Sequence, residues 1–204
     1  MLFDGKKRIP IGYEDFREII DQEFYYVDKT MLIYELLTSG GKNSLITRPR
    51  RFGKTLNFSM LRYFFDITEK ENQYLFDGLR ISKYYEKVAK YRNTHPVVTL
   101  SLKCAKQGNY EAALDNLCDE IKGQFKRYRY ILSSDKVDEQ DKNEFRLVIG
   151  SKPDEALFGR SIKLLCSCLK QYYGVNTIVL IDEYDVPLED AYFSGYYDKM
   201  VLFI

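Results

Sequence analysis

Two short groups of residues have the types and settings that suit chemistry on a phosphate chain: Gly53-Lys54-Thr55 and Asp182-Glu183. Residues 44 to 55, Ser-Leu-Ile-Thr-Arg-Pro-Arg-Arg-Phe-Gly-Lys-Thr, read as a short apolar strand, a basic loop and the start of a helix. A helix that begins near Gly53 leaves backbone N–H groups without intrahelical partners and turns the positive end of its dipole toward the loop, which favours anions. Lys54 adds a mobile cation for β and γ phosphates, and Thr55 a hydroxyl for Mg²⁺. The general phosphate-loop pattern has its first glycine where Arg48 stands, so the match is incomplete, because a side chain occupies a position at which the backbone should approach phosphate closely. The residues expected around the nucleotide are Arg48, Pro49, Arg50, Arg51, Phe52, Gly53, Lys54, Thr55 and Leu56.

The second group closes a β-branched run, Thr177 to Ile181. Buried parallel strands present ligands at their carboxyl ends, so Asp182 is expected to share a Mg²⁺ ion with Thr55, and Glu183 to polarise the attacking water. Lys54 and Glu183 are thus the candidate catalytic residues. Arg50 and Arg51 have three open roles: stabilising transition-state charge, clamping the ground state, or pairing with Asp185.

These residues need a scaffold, and the pattern supplies one. Asp28 is placed to cap a short helix from Met31 to Leu37 that stops at Gly40-Gly41, and the first central strand follows. Leu56, Met60, Leu61, Phe64 and Phe65 form one stripe of the helix after the loop, and Pro96 to Leu102 reads as a second strand. Asn109 opens a long helix whose apolar face is Leu114, Leu117, Cys118, Ile121, Phe125, Tyr128 and Leu132. A charged, exposed helix is expected up to Asn143. A further helix follows with Phe158, Ile162, Leu165, Cys166, Leu169 and Tyr173 at helical spacing and Gly174 as its left-handed stop. Thr177 to Ile181 is the third strand. The expected fold is a three-layer α/β/α P-loop NTPase with a mainly parallel sheet, residues 1–40 forming an N-terminal appendage and residues 41–204 an ATPase core.

Ile9-Pro-Ile-Gly, Tyr25-Tyr-Val-Asp-Lys-Thr, Thr47-Arg-Pro-Arg-Arg-Phe-Gly-Lys-Thr and Leu180-Ile-Asp-Glu-Tyr-Asp-Val-Pro-Leu together resemble the bacterial AAA-ATPase-like family, across nearly the whole chain. The resemblance implies that an arginine at position 48 is the usual form of the loop, and that the cofactors are ATP and Mg²⁺. It further implies that members continue past the position of Ile204 with the rest of the core, including a polar sensor of the γ phosphate, and often with a domain similar to PD-(D/E)XK nucleases. The core is accordingly expected to be truncated at its C-terminus, with an exposed sheet edge that favours self-association or a protein partner. Tyr25 or Tyr26, ahead of the first strand, is a candidate to stack on the base, the alternative being that both rings pack the appendage.

Composition narrows the classes. With 45% hydrophobic and 30% charged residues in 204, a globular α/β chain is expected, and a net charge of +1 argues against a constitutive grip on nucleic acid. Lys126 to Arg129, with Tyr128 and Tyr130, is read as the solvated face beside a core stripe rather than a base-stacking surface. No run approaches the roughly 20 apolar residues that cross a bilayer, and the first residues lack a signal-peptide centre, so a cytoplasmic location is expected. Cys104, Cys118, Cys166 and Cys168 form no Cys-x-x-Cys pair and are read as packing thiols; the single histidine, His95, has no role. The favoured function is binding and hydrolysis of Mg-ATP. The rivals are a nucleotide-dependent interaction module without turnover and, with less in the sequence to suggest it, a phosphotransferase.

Overall fold

The computed structural model describes residues 7–47 and 52–204 and divides into two compact units, Met1–His95 and Pro96–Ile204. The first is built on α1 (Phe16–Asp21), α2 (Met31–Thr38) and α3 (Lys54–Phe65), followed by 3-10 turns at Lys70–Phe76 and Arg80–Tyr84, the one-turn α4 (Tyr85–Val88) and a last 3-10 turn at Ala89–Tyr91. Its core is aromatic. Met60, Leu61, Tyr63, Phe64 and Phe65 of α3 are buried, Phe64 meets Phe76 edge-on at 5.3 Å between ring centres, and Phe16 lies 5.2 Å from the same ring.

Polar stitches hold this unit as much as its apolar contacts do. Asp15 caps α1 by accepting from the Arg17 and Glu18 amides, and also accepts from Ser59 Oγ at 3.0 Å and Tyr63 OH at 3.2 Å, both on α3. The other end of α3 is closed by Asn93, whose amide donates to Phe64 O at 2.7 Å while its Nδ2 donates to Tyr63 O and Asp66 O, each at 2.9 Å. Helix termini leave four carbonyls without partners, and Asn93 in a left-handed conformation is how this one meets them.

The second unit is α/β in the ordinary sense. Strands β1 (Val97–Ser101) and β2 (Ile178–Asp182) pair in parallel with Val97 opposite Ile178 and Ser101 opposite Asp182. Between them run α5 (Tyr110–Arg127), α6 (Glu139–Gly150), α7 (Glu155–Gly159) and α8 (Ser161–Tyr173), and α9 (Val186–Ser194) and α10 (Tyr197–Phe203) come after β2. The expected stripe of α5 is buried from Leu114 to Phe125, and Phe125 packs on Phe145 of α6 at 4.6 Å. Gly174 is left-handed at φ 76°, as the stop of α8 requires.

Along its outer edge β1 is paired by helix side chains rather than by a strand. Gln124 and Glu120 accept from the Thr99 and Ser101 amides at 3.3 and 3.0 Å, and Tyr128 OH and Arg127 Nη1 donate to Val97 O at 2.7 and 3.2 Å. Residues 97, 99 and 101 point their backbone groups to one side of the strand, and three of those groups, Val97 O and the Thr99 and Ser101 amides, are met in this way.

Four expectations are corrected. Ser44 to Thr47 is not a strand: no ladder forms there among the described residues, and Leu45 is 71% exposed. Leu45 and Ile46 are adjacent and so face opposite ways in an extended chain, which leaves neither face enough apolar surface to hold a strand in a core. Asp28 does not cap α2; its Oδ1 accepts from Thr30 N and Oγ1 at 2.9 and 2.6 Å and its Oδ2 from Arg80 N at 2.7 Å. The helix foreseen around Phe158 to Tyr173 is two helices, because Asp154 caps α7 and Arg160 separates it from α8. The exposed helix toward Asn143 is α6, which buries Phe145 and Val148. The protein is α/β, mainly helical, with a small parallel two-stranded sheet.

Candidate functional site

The groups expected to meet phosphate lie in the first unit at the start of α3. Gly53 is its N-cap in the left-handed region, φ 74°, and its carbonyl accepts from Asn57 N at 2.9 Å. A β-carbon there would lie 3.7 Å from Lys29 Nζ, an ordinary contact, so the need for glycine is conformational rather than a matter of space. Lys54 and Thr55 are the first two residues of the helix and are half-buried. Arg48, Pro49, Arg50 and Arg51, four of the expected loop residues, lie outside the described residues. Phe52 is described and exposed, and its carbonyl accepts from Lys29 Nζ at 2.9 Å.

Beside Phe52 and Gly53 lies a cleft of about 340 Å³ with mainly apolar walls from Ile9, Tyr25, Val27, Phe52 and Leu56, and with Asn57 at its α3 side. The two candidate stacking tyrosines separate here. Tyr26 is a packing residue: its ring meets Phe16 edge-on at 5.3 Å, and its hydroxyl donates to Met60 Sδ and accepts from Lys29 N, each at 3.4 Å. Burial pushes its phenol up to about 12. Tyr25 is 58% exposed, and it lines the cleft together with Tyr26.

In the second unit Asp182 ends β2 and is 8% exposed. Its Oδ1 accepts from Glu183 N at 2.9 Å. Glu183 has φ 56°, a region that a side chain with a β-carbon enters at a cost of order 1 kcal/mol, and its carbonyl accepts from Val186 N at 3.1 Å as the chain turns into α9. A carboxylate at a parallel strand's carboxyl end followed by a strained turn is where an α/β site is expected to place its chemistry. Thr55 in the first unit and Asp182 in the second each carry oxygen atoms, the donor type that hard cations such as Mg²⁺ take.

Other candidates resolve as packing. Tyr128 is fully buried, which removes it as a base-stacking ring, and Tyr130 pairs its hydroxyl with that of Tyr173. Burial raises the thiols of Cys118 and Cys168 to about 11 and about 12, so neither is a ready nucleophile at neutral pH. His95 is held below its ordinary value by burial; its ring stacks on Tyr91 and its Nδ1 hydrogen-bonds Thr94 Oγ1 at 2.9 Å. Two residues that the sequence did not single out matter here, Asp15 and Lys29. Asp15 had a signal, since Asp-x-x-Glu before an apolar run is a capping pattern, whereas Lys29 falls in the Tyr25–Thr30 motif but its contact with Phe52 spans 23 positions and nothing in the motif indicates it.

A left-handed glycine opening a lysine-threonine helix, and a parallel strand ending in a buried aspartate, are the parts of a nucleotide-binding α/β protein. The family described as "Predicted AAA-ATPase" matches residues 10–204, and the chain belongs to this AAA-ATPase-like family. It is also similar to a protein of Azotobacter chroococcum mcd 1 named "Uncharacterized protein in vnfD 5'region", 28% identical over 189 residues, which are 91% of this chain and 30% of that protein. The chain thus spans about a third of that relative's length. No solved structure matches it. Among the described residues no helix is long and apolar enough to cross a membrane.

Proposed function

We propose that this chain binds Mg-ATP and hydrolyses it. The observation that carries the reading is the opening of α3, where left-handed Gly53 starts a twelve-residue helix whose first amides and positive dipole end suit an anion and whose first residue is Lys54. Lys54 neutralises the β and γ phosphates. Thr55 and Asp182 hold Mg²⁺, which when bound offsets the charge of the phosphate chain. Glu183 orients the attacking water. The base lies against Tyr25 in the apolar cleft, a fit supported by its walls and its place beside Phe52 and Gly53. The wider reading includes a three-layer P-loop core over residues 41–204, an appendage over residues 1–40, and a cytoplasmic location.

The test is ligand-linked stability followed by turnover. Saturating Mg-ATP at a hundredfold excess over Kd should stabilise the wild type by about 2.7 kcal/mol, read as a rise in Tm, and Lys54→Ala should lose most of that rise. Glu183→Gln should keep the rise and lose phosphate release. No rise in a cooperatively folded wild type refutes binding; a rise without phosphate release leaves a nucleotide-dependent interaction module; and a phosphorylated acceptor in place of free phosphate makes the chain a phosphotransferase.

A further inference from the structure

Lys29 stands where a lysine is hard to explain by stability. Its ammonium is 2.9 Å from Phe52 O and 3.7 Å from the β-carbon position of Gly53, the N-cap of α3. The positive end of a helix dipole repels a cation, and Lys54 follows in the next position. Among the described residues Lys29 makes no ion pair, and the carboxylate of neighbouring Asp28 bonds instead to Thr30 and to Arg80 N. Lys29, the dipole end of α3 and the helix's first residue, Lys54, carry the same sign, an arrangement that an anion would relieve.

The segment that carries Lys29 is also held firmly. On one side the Tyr26 hydroxyl accepts from Lys29 N, and the Tyr26 ring is set into the core against Phe16. On the other side Thr30 is fully buried, with its Oγ1 accepting from Ile81 N at 3.1 Å. Asp28 ties the same turn to the backbone at Arg80. A lysine ammonium has three N–H donors, and the hydrogen bond to Phe52 O uses one. The other two are left for a ligand, while the first fixes the peptide that leads into Gly53.

We infer that Lys29 is a second cation of the phosphate site, binding the phosphate chain of the nucleotide alongside Lys54 while it holds the Phe52 carbonyl in place. This rests on the nucleotide-binding reading above. It differs from a structural role in one respect: the effect of Lys29 must grow with the charge of the ligand.

The experiment is a set of calorimetric titrations of the folded chain with Mg-ATP, Mg-ADP and adenosine, each in low and high salt, for the wild type, Lys29→Ala, Lys29→Arg and Lys54→Ala. Lys29→Ala should weaken Mg-ATP by about tenfold to a hundredfold, Mg-ADP less and adenosine not at all, with the ATP deficit shrinking as salt rises. Lys29→Arg should recover part of the loss, since it keeps the charge but not the point geometry. The inference is overturned if Lys29→Ala binds Mg-ATP like the wild type while Lys54→Ala does not, or if it weakens adenosine as much as Mg-ATP, which marks a merely structural residue. If Lys54→Ala also binds like the wild type, the phosphate-site reading itself fails, and the inference with it.

Discussion

The two units solve the placement of a charged side chain in different ways. In the first, Lys54 and Thr55 ride on a helix tied down by polar side chains, Asp15 bonding Ser59 and Tyr63 along its length and Asn93 closing the last carbonyls. In the second, Asp182 is delivered by the end of a strand paired in parallel with its neighbour, over a core in which α5, α6 and α8 bury Phe125, Phe145 and Leu165 completely. A helix terminus brings amides and a dipole and so suits an anion; a strand end brings a carboxylate on a stiff backbone and so suits a cation. The halves of the proposed chemistry are thus matched to the kind of element that carries them.

That contrast can be broken first at the cores. Phe125→Ala in the second unit, which removes a fully buried ring from the Phe145 contact, should cost about 3–5 kcal/mol in urea unfolding with an unchanged m-value. A cost below about 1 kcal/mol would mean that the site collapses around the void. Next in size is the polar hub. Asp15→Ala should cost about 2 kcal/mol, because it removes a helix cap together with the acceptor for Ser59 and Tyr63, whereas Asp138→Ala, an exposed cap of α6 with two amides only, should cost about 1 kcal/mol or less. Equal costs would reduce Asp15 to an ordinary cap.

The smallest expected effect sharpens the comparison most. Glu183→Gly should raise stability by about 0.5–1 kcal/mol, since glycine enters the left-handed region without a β-carbon, while phosphate release is lost. A loss of stability at this position would show that the Glu183 side chain holds the turn after β2, and would count against a functional reason for its strain.

How much of this was legible depended on how local each feature is. The face of α5, the left-handed Gly174, the capping Asn109 and the helix that opens at Lys54 all follow from spacing within one element, and each is present. The run after Asp66 defeats such reading: its 3-10 turns bury the adjacent pair Leu75 and Phe76 in one turn and Ile81 alone in the next, with no period to detect. Leu45 and Ile46 look like strand residues by type, but strand formation is decided by a partner, and type does not supply one. Of the proposed site residues, Lys54 and Thr55 lie at the start of a helix and Asp182 at the end of a strand, the elements that spacing within the sequence indicates. Lys29 stood in the Tyr25–Thr30 motif without a role, because its position is set by the folding of Tyr26, Asp28 and Thr30 against residues far along the chain.

The side chains that line β1 have a consequence for assembly. Gln124, Glu120, Arg127 and Tyr128 occupy three of the hydrogen-bonding positions that a neighbouring strand would need, so another polypeptide could pair with this margin of the sheet only by displacing them. Annexation on the β1 side therefore carries the cost of breaking the contacts that α5 and the residue after it make with the strand.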